Sequence, residues 1–142
     1  METRLKVAER IAQEASLLAL DYFRRLSESE IGEKRPQDLF SEANREVENL
    51  IRQRLEHHFP QDAIIGEEYG GEPSASYWSV DPIDGTSHFL RGSSLWGISV
   101  GYVIGGEPVM GVIVHPVLNL MLSGGKETGV YLNGEPFQRP VV

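Results

Sequence analysis

Glu67, Asp81 and Asp84 are the residues of this chain whose types and spacing best fit a chemical role. Pro82 lies between the two aspartates and Gly85 follows them, as expected where an extended segment gives way to a turn. Magnesium prefers oxygen ligands in octahedral geometry, and one or two carboxylates commonly hold it together with substrate phosphate. The three carboxylates therefore predict a magnesium site that faces a phosphate group.

The residues around the two aspartates favour this interpretation. Pro82 fixes its own φ and biases the preceding residue towards extended geometry, while the carbonyl of Ile83 could supply a further neutral oxygen ligand. Gly85 permits a close approach of the backbone to a ligand, and Thr86 could cap a short helix over residues 87–90. The first N–H groups of a helix lack intrahelical partners and suit a phosphate. Metal and phosphate would then share one pocket.

An ordinary structural role is the alternative for the same residues. Asp-Pro and Asp-Gly pairs are common in turns, and adjacent glutamates such as Glu67 and Glu68 are commonly exposed to solvent. Apolar residues, however, precede both acidic segments, at 64–65 and at Trp78 and Val80. Carboxylates at the ends of two buried strands favour a functional site over a pair of turns.

Two amphipathic helices are predicted ahead of these carboxylates. Apolar residues recur at helical spacing from Glu2 to Leu26 and give one broad apolar face. A second helix is predicted from Ser41, as its N-cap, to about His58. The polar segment between them, residues 28–38, is predicted to be a loop or hairpin. The second helix is expected to bury Val47, Leu50, Ile51 and Leu55.

The second half of the chain is predicted to be a sheet of short, largely antiparallel strands. Valine, isoleucine and glycine become frequent there, and short turns separate the apolar runs. Asn133–Gly134 is predicted to be a tight hairpin turn. Two N-terminal helices packed on one face of such a sheet give an α+β domain. The predicted strands include residues 96–104, 109–114, 120–123 and 129–132.

Length and composition limit the classes of protein to which the chain can belong. Its 142 residues suit a single domain over 1–142, and a formal charge of −8 argues against a nucleic-acid or anionic-membrane partner. The absence of cysteine excludes disulfides, a thiolate nucleophile and a zinc–thiolate site. The charged N-terminus does not fit a secretory signal, and no apolar run reaches the roughly 18 residues of a membrane span. We therefore expect a cytoplasmic protein.

The four histidines form no comparable cluster. His57 and His58 fall at the polar end of the second predicted helix, His88 lies close behind the aspartates, and His115 precedes a proline. Scattered histidines of this kind are predicted to be structural or solvent-facing, and the sequence supports no Ser-His-Asp arrangement.

Two motifs resemble those of the inositol monophosphatase family, which comprises magnesium-dependent phosphatases of the lithium-sensitive type. Residues 66–68, GEE, and 78–89, WSVDPIDGTSHF, match the family patterns G-E-E and W-x-x-D-P-I-D-G-T-x-x-F position by position. The similarity extends from residues 34–39 to the hairpin at 129–134. A W-D-x-A-x-G motif that the family has in a second half does not occur here. The resemblance therefore implies the N-terminal, metal-binding half of an αβαβα sugar-phosphatase sandwich.

The resemblance implies a role for each residue of the predicted site. A first magnesium would be held by Glu67, Asp81 and the Ile83 carbonyl. A second magnesium would be bridged by Asp81 and Asp84. A metal-activated water would attack the phosphorus directly, with Glu67 and Thr86 as catalytic residues, and Glu68 would lie outside direct metal contact. The residues expected to bind substrate are Glu67, Ile83, Asp84, Gly85 and Thr86.

Asn44 departs from the family pattern. Where related sequences have D-L-V-T-x-x-D, residues 38–44 of this chain are DLFSEAN, in the first turn of the second predicted helix. The family's aspartate helps a threonine to orient the attacking water, but an amide cannot accept a proton as a general base. Either activity is weakened, or Thr86, Glu67 and the metals prepare the water, or Asn44 is an ordinary helix-start residue. Lys34 could approach the site or be a surface lysine.

The sequence thus predicts an enzyme, a phosphoric monoester hydrolase that uses Mg²⁺ to hydrolyse a small phosphate monoester of the inositol-phosphate type. One alternative is a phosphatase of the same family that acts on histidinol phosphate or on another sugar or nucleotide phosphate. The other is a catalytically silent metal- and phosphate-binding module that acts through association. The expected partners are a small phosphorylated metabolite and, to cover the exposed sheet, either a second copy in a homo-oligomer or a C-terminal half.

Overall fold

The computed structural model describes residues 2–26 and 35–138. Within them, seven strands form one mixed sheet in chain order, and two long helices pack on it. The predicted α+β class is confirmed. The elements are α1 (Glu2–Leu26), α2 (Pro36–His58), β1 (Ala63–Gly66), β2 (Ser76–Asp84), α3 (Thr86–Leu90), β3 (Gly97–Ile104), β4 (Glu107–His115), β5 (Leu120–Gly125), β6 (Gly129–Leu132) and β7 (Glu135–Pro136).

Helices α1 and α2 cover one face of the sheet. α1 forms over its full predicted length and packs against α2, β3, β4 and β5, while α2 packs against β2. Ile51, Trp78 and Val100 are fully buried between the helices and the sheet. The helices therefore fix the position of β2, the strand that contains both aspartates. Neither of them, nor any other helix in the described residues, is long and apolar enough to span a membrane.

Helix α2 begins at Pro36, so the prediction that it begins at Ser41 is wrong. Proline is favoured in the first turn because its fixed φ suits a helix and the N–H that it lacks would have had no partner there. Arg35 precedes the helix with extended geometry, and Asp38 places a negative charge in its first turn. Of the predicted loop over 28–38, residues 36–38 are therefore helical, and residues 28–34 lie outside the described residues.

The predicted strands and turns of the second half are largely confirmed. All neighbouring strands run antiparallel except β1 and β2, which run parallel. Gly105 and Gly106 make the turn between β3 and β4 with φ angles of 57° and 79°, so β4 begins at Glu107, two residues before the prediction. Asn133 and Gly134 join β6 to β7 with positive φ at both positions, as a tight hairpin turn requires.

The face of the sheet opposite the helices is apolar and exposed. Ile113 and Leu122 are register partners on β4 and β5, and Val130 lies on the same face of β6. These three side chains are 42%, 39% and 45% exposed. Contiguous apolar surface of this kind commonly marks an interaction site. Coverage of this face by a second copy or by a C-terminal half stays a prediction, which sedimentation of the isolated chain would test.

Candidate metal centre

Glu67 and Asp81 lie side by side because β1 and β2 run parallel. Ala63 pairs with Tyr77 and Gly66 pairs with Val80, so the next residue along each strand is one of the two carboxylates. Carboxyl ends of adjacent parallel strands meet at the same edge of a sheet and commonly border binding sites. Two of the predicted ligands therefore share that edge.

A β-bulge brings Asp81 and Asp84 to the same face of the sheet. Residues three apart in a regular strand point to opposite faces. Here Asp81 pairs with Ser99 and Asp84 pairs with Gly97, and the register shifts between the two pairs because β2 has one extra residue. Positions 97 and 99 of β3 share a face, and so do the aspartates opposite them. The strand thus continues through both aspartates and ends at Asp84, just before Gly85.

The carboxylate of Asp81 lies among negative charges in a half-buried position. Burial and the neighbouring charges of Asp84 and Glu67 raise the pKa of Asp81 to about 7. A protonated Asp81 can also hydrogen-bond to Glu67, which favours the neutral form further, whereas a hydrogen bond from the Ile83 backbone opposes the rise in pKa. Among the described residues, the buried Asp81 Oδ1 atom has no hydrogen-bond partner. This oxygen and the surrounding carboxylates fit the oxygen donor set of a hard cation.

Glu67 and Asp84 are neighbours of Asp81, but the three carboxylates do not converge on a single cation position. Within residues 2–26 and 35–138, no three His, Cys, Asp or Glu side chains already surround one cation position. The side chains of Glu67 and Asp84 are both exposed. The backbone thus brings the predicted ligands together, whereas their binding of a metal stays a prediction.

Gly85 and helix α3 follow the aspartates directly. Gly85 is the N-cap of α3 and has a φ of 90°, so Thr86 is the first helical residue and not the cap that the sequence predicted. A Cβ at position 85 would also lie 3.1 Å from the Leu95 carbonyl oxygen. Phe89 of α3 is fully buried, with its ring centroid 4.9 Å from that of Trp96. The buried ring anchors α3, while Thr86 stays exposed beside Asp84.

Asn44 lies inside α2 rather than in its first turn, because the helix begins earlier than predicted. Its side chain is 3% exposed, and its Nδ2 donates to Glu68 Oε1 at 2.7 Å. The Oδ1 atom of Asn44 is buried and has no hydrogen-bond partner in the described part of the chain. Asn44 is therefore a buried side chain that contacts the turn after β1, not an ordinary helix-start residue.

Glu48 is a residue of this region that sequence reasoning missed. It is fully buried on α2 and accepts hydrogen bonds from the backbone N–H groups of Glu68 and Tyr69. The available signal was its position, because Val47, Glu48 and Ile51 lie on the apolar stripe of an amphipathic helix. A charged residue on such a stripe is rarely buried without partners.

The histidines lie in ordinary structural contacts. His88 Nδ1 is 3.2 Å from Ser93 Oγ, and His115 Nδ1 is 3.0 Å from the Trp96 carbonyl oxygen. His57 and His58 are exposed at the end of α2. These contacts agree with the structural role predicted for histidine. Lys34, for which the sequence allows either an approach to the site or a surface position, lies outside the described residues.

Asp81→Asn is expected to stabilise the metal-free protein at pH 8 by about 1–2 kcal/mol. The folded-state pKa of about 7 exceeds the ordinary aspartate pKa of 3.8, so folding costs free energy when the carboxylate is ionised. That cost is full above pH 7, shrinks as the pH falls from 7 towards 3.8, and vanishes well below 3.8, where both states are protonated. Partial exposure reduces it. Urea unfolding in EDTA at pH 4 and pH 8 measures the difference.

Glu46→Gln, on the exposed side of α2, is the control for the loss of one negative charge. Its free energy of unfolding should differ from that of the wild type by the same amount at both pH values. An Asp81→Asn variant that shows no gain at pH 8 would contradict the electrostatic description of the site.

Comparison with known proteins agrees with this geometry. A model of the inositol monophosphatase family matches residues 1–140. The chain is 37% identical over 140 residues to a histidinol-phosphatase from Chlorobaculum parvum, an alignment that covers 97% of this chain and 54% of the relative. The structure of an inositol monophosphatase from Anabaena superposes with a TM-score of 0.84 at 24% identity, over 99% of this chain and 51% of that one.

The IMPase from Thermotoga maritima superposes with a TM-score of 0.81 at 30% identity. That superposition covers 97% of this chain and 54% of the Thermotoga chain. The chain therefore belongs to the inositol monophosphatase family, and it spans about half the length of the relatives that it matches.

Proposed function

We propose that the protein hydrolyses a small phosphate monoester of the inositol-phosphate type in a magnesium-dependent reaction. The observation that supports this most directly is the half-buried Asp81, which has an unpartnered oxygen and lies among the charges of Glu67 and Asp84. A divalent cation would offset the repulsion among these carboxylates, and oxygen ligands of this kind suit magnesium. Membership of a phosphatase family supports the same reaction.

Glu67, Asp81 and the carbonyl of Ile83 would hold one magnesium, and Asp84 would share a second one with Asp81. Bound magnesium would neutralise charge on the phosphoryl oxygens and lower the pKa of a coordinated water. Glu67 just after β1 and the two aspartates on either side of the bulge in β2 would fix the position of the cation. This division of roles follows the motif match and the proximity of the side chains.

Gly85 and Thr86 would bind the phosphate of the substrate. The first N–H groups of α3 have no intrahelical acceptor and follow Asp84 directly, so they can donate to a phosphate oxygen. The exposed Thr86 hydroxyl would orient the attacking water, with Glu67 on the neighbouring strand end. Asn44 can hydrogen-bond to a water but cannot accept its proton. The reaction therefore proceeds without a general base at position 44.

Histidinol phosphate is the second candidate substrate. The observation that favours it is the 37% identity to the Chlorobaculum parvum histidinol-phosphatase. Both candidates are alcohols esterified with phosphate, and the same site would cleave the same bond in each.

Asn44 favours a third candidate function, a metal- and phosphate-binding module without catalysis, which acts through association. A cytoplasmic location is part of the proposal.

Phosphate release from the whole chain tests these candidates. Inositol phosphate and histidinol phosphate are each incubated with the protein in Mg²⁺ or in EDTA, and inorganic phosphate is measured. We expect Mg²⁺-dependent release, with the larger kcat/KM on the inositol phosphate. A larger kcat/KM on histidinol phosphate would select the second candidate. Release no greater than that without protein, in Mg²⁺ as in EDTA, together with measurable Mg²⁺ binding, would select the silent module.

A further inference from the structure

Glu48 is a fully buried carboxylate at the centre of α2. Its Oε1 accepts from the backbone N–H of Glu68 at 2.8 Å, and its Oε2 accepts from the backbone N–H of Tyr69 at 3.0 Å. A buried carboxylate is costly unless hydrogen bonds satisfy it, and here two of them come from consecutive backbone groups of one turn. The carboxylate of Glu48 therefore fixes the path of the chain just after Glu67.

Gly66 is in contact with the same carboxylate from the strand side. A Cβ at position 66 would overlap Glu48 Oε2, at a separation that real Cβ atoms essentially never show. Gly66 does not have a positive φ, so the requirement for glycine comes from this contact and not from backbone conformation. The glycine of the G-E-E motif thus leaves room for Glu48 beneath the turn.

Arg52 completes the contact between α2 and the turn. Its Nε donates to Glu48 Oε2 at 2.9 Å, and its Nη2 donates to the carbonyl oxygen of Gly70. Gly70 in turn exchanges two backbone hydrogen bonds of 3.0 Å with Gly66, which closes the turn around Glu67. The pair Glu48 and Arg52 therefore holds both ends of the turn, and the side chain of Glu67 is left free towards Asp81.

We infer that Glu48 is a positioning residue for the metal centre. It holds the turn of residues 66–70 so that Glu67 lies beside Asp81, and it does not itself bind the cation. This inference rests on the proposed function, because it assumes that Glu67 is a metal ligand. Groups that orient ligands in this way commonly change metal affinity by about 10–100-fold when they are altered.

Glu48→Gln tests the inference with little change in volume. The glutamine has one acceptor oxygen, so its NH₂ group faces one of the two backbone N–H donors and that hydrogen bond is lost. We expect amide hydrogen exchange at Glu68 and Tyr69 to accelerate at least about tenfold, and Mn²⁺ to bind about 10–100-fold more weakly. Mn²⁺ affinity is measured directly by electron paramagnetic resonance on the whole chain, without substrate.

Three further variants make the outcome decisive. Gly66→Ala crowds the same contact while Glu48 keeps its charge, and it should also weaken Mn²⁺ binding. This variant tests the inference even if Glu48→Gln does not fold. Glu67→Gln removes the proposed ligand itself. Glu46→Gln, on the exposed side of α2, should leave both amide exchange and Mn²⁺ affinity unchanged.

The inference is overturned if Glu67→Gln weakens Mn²⁺ binding while Glu48→Gln and Gly66→Ala both fold and bind Mn²⁺ like the wild type. Unchanged Mn²⁺ affinity in Glu67→Gln overturns the metal assignment of the proposed function, and the inference with it. Accelerated exchange at Glu68 and Tyr69 in Glu48→Gln would then show that the fault lay in the ligand assignment and not in the description of the turn.

Discussion

Asp81→Asn is expected to reduce magnesium-dependent phosphate release by at least about 100-fold, because a metal ion supplies several kcal/mol of charge stabilisation in such reactions. Asp81 is the residue that adjoins both other carboxylates, with Glu67 next to it just after β1 and Asp84 across the bulge. Asparagine keeps the shape but leaves a neutral oxygen, which is a weaker ligand for a hard cation. Initial rates at saturating Mg²⁺ measure the effect.

Asp21→Asn provides a matched control for this prediction. Asp21 is an exposed aspartate on α1 whose carboxylate lies 3.5 Å from Arg25 Nε, so the change again removes one negative charge. Its rate should stay within about twofold of the wild type, since surface ion pairs contribute little. If Asp81→Asn and Asp21→Asn release phosphate equally fast, the proposed enzymatic function of this chain is wrong.

The elements that position the site could be predicted where local patterns determine them. The periodicity of apolar residues gave α1 with its observed bounds, and Asn133–Gly134 gave the last hairpin. The start of α2 was missed because Ser41 resembles an N-cap, whereas Pro36 begins the helix without any side-chain cap. The residue preferences at helix caps are only tendencies. Because Leu39 and Phe40 pack in the core, the helix begins before Ser41.

The carboxylates of the site could be chosen from the sequence, but the backbone that brings them together could not. In a regular strand, Asp81 and Asp84 would point to opposite faces. The register shift that reverses this depends on the pairing of β2 with β3, which is a contact between distant parts of the chain. Pro82 was the local indication, because proline within a sheet favours edges and bulges.

The support beneath the site was also beyond sequence reasoning. The position of Glu48 on the apolar stripe of α2 indicated that it is buried, but the sequence did not indicate which groups satisfy its carboxylate. Besides Arg52, its partners are two backbone N–H groups about twenty positions away, and backbone groups have no signature in a sequence. The requirement for glycine at position 66 could not be predicted either, because it arises from the side chain of Glu48 on α2.

Asn44→Asp is expected to raise the kcat of magnesium-dependent phosphate release by about 10–100-fold, because a positioned general base contributes on that scale or more. The side chain of Asn44 is buried and donates to Glu68 at 2.7 Å, directly beside the turn that contains Glu67. The introduced carboxyl would face Glu68, and repulsion between the two would raise the pKa of the introduced group towards neutrality. A base with such a pKa transfers protons effectively at neutral pH.

The same substitution should cost stability, and this separates a catalytic gain from a general improvement in folding. Loss of the hydrogen bond to Glu68 and burial of a second carboxylate should lower the free energy of unfolding by about 1–3 kcal/mol without metal. Asn44→Ala loses the same hydrogen bond but provides no base, so it should be destabilised without any gain in kcat. If Asn44→Asp folds, binds Mn²⁺ and turns over no faster than the wild type, a base at position 44 is not what limits the reaction.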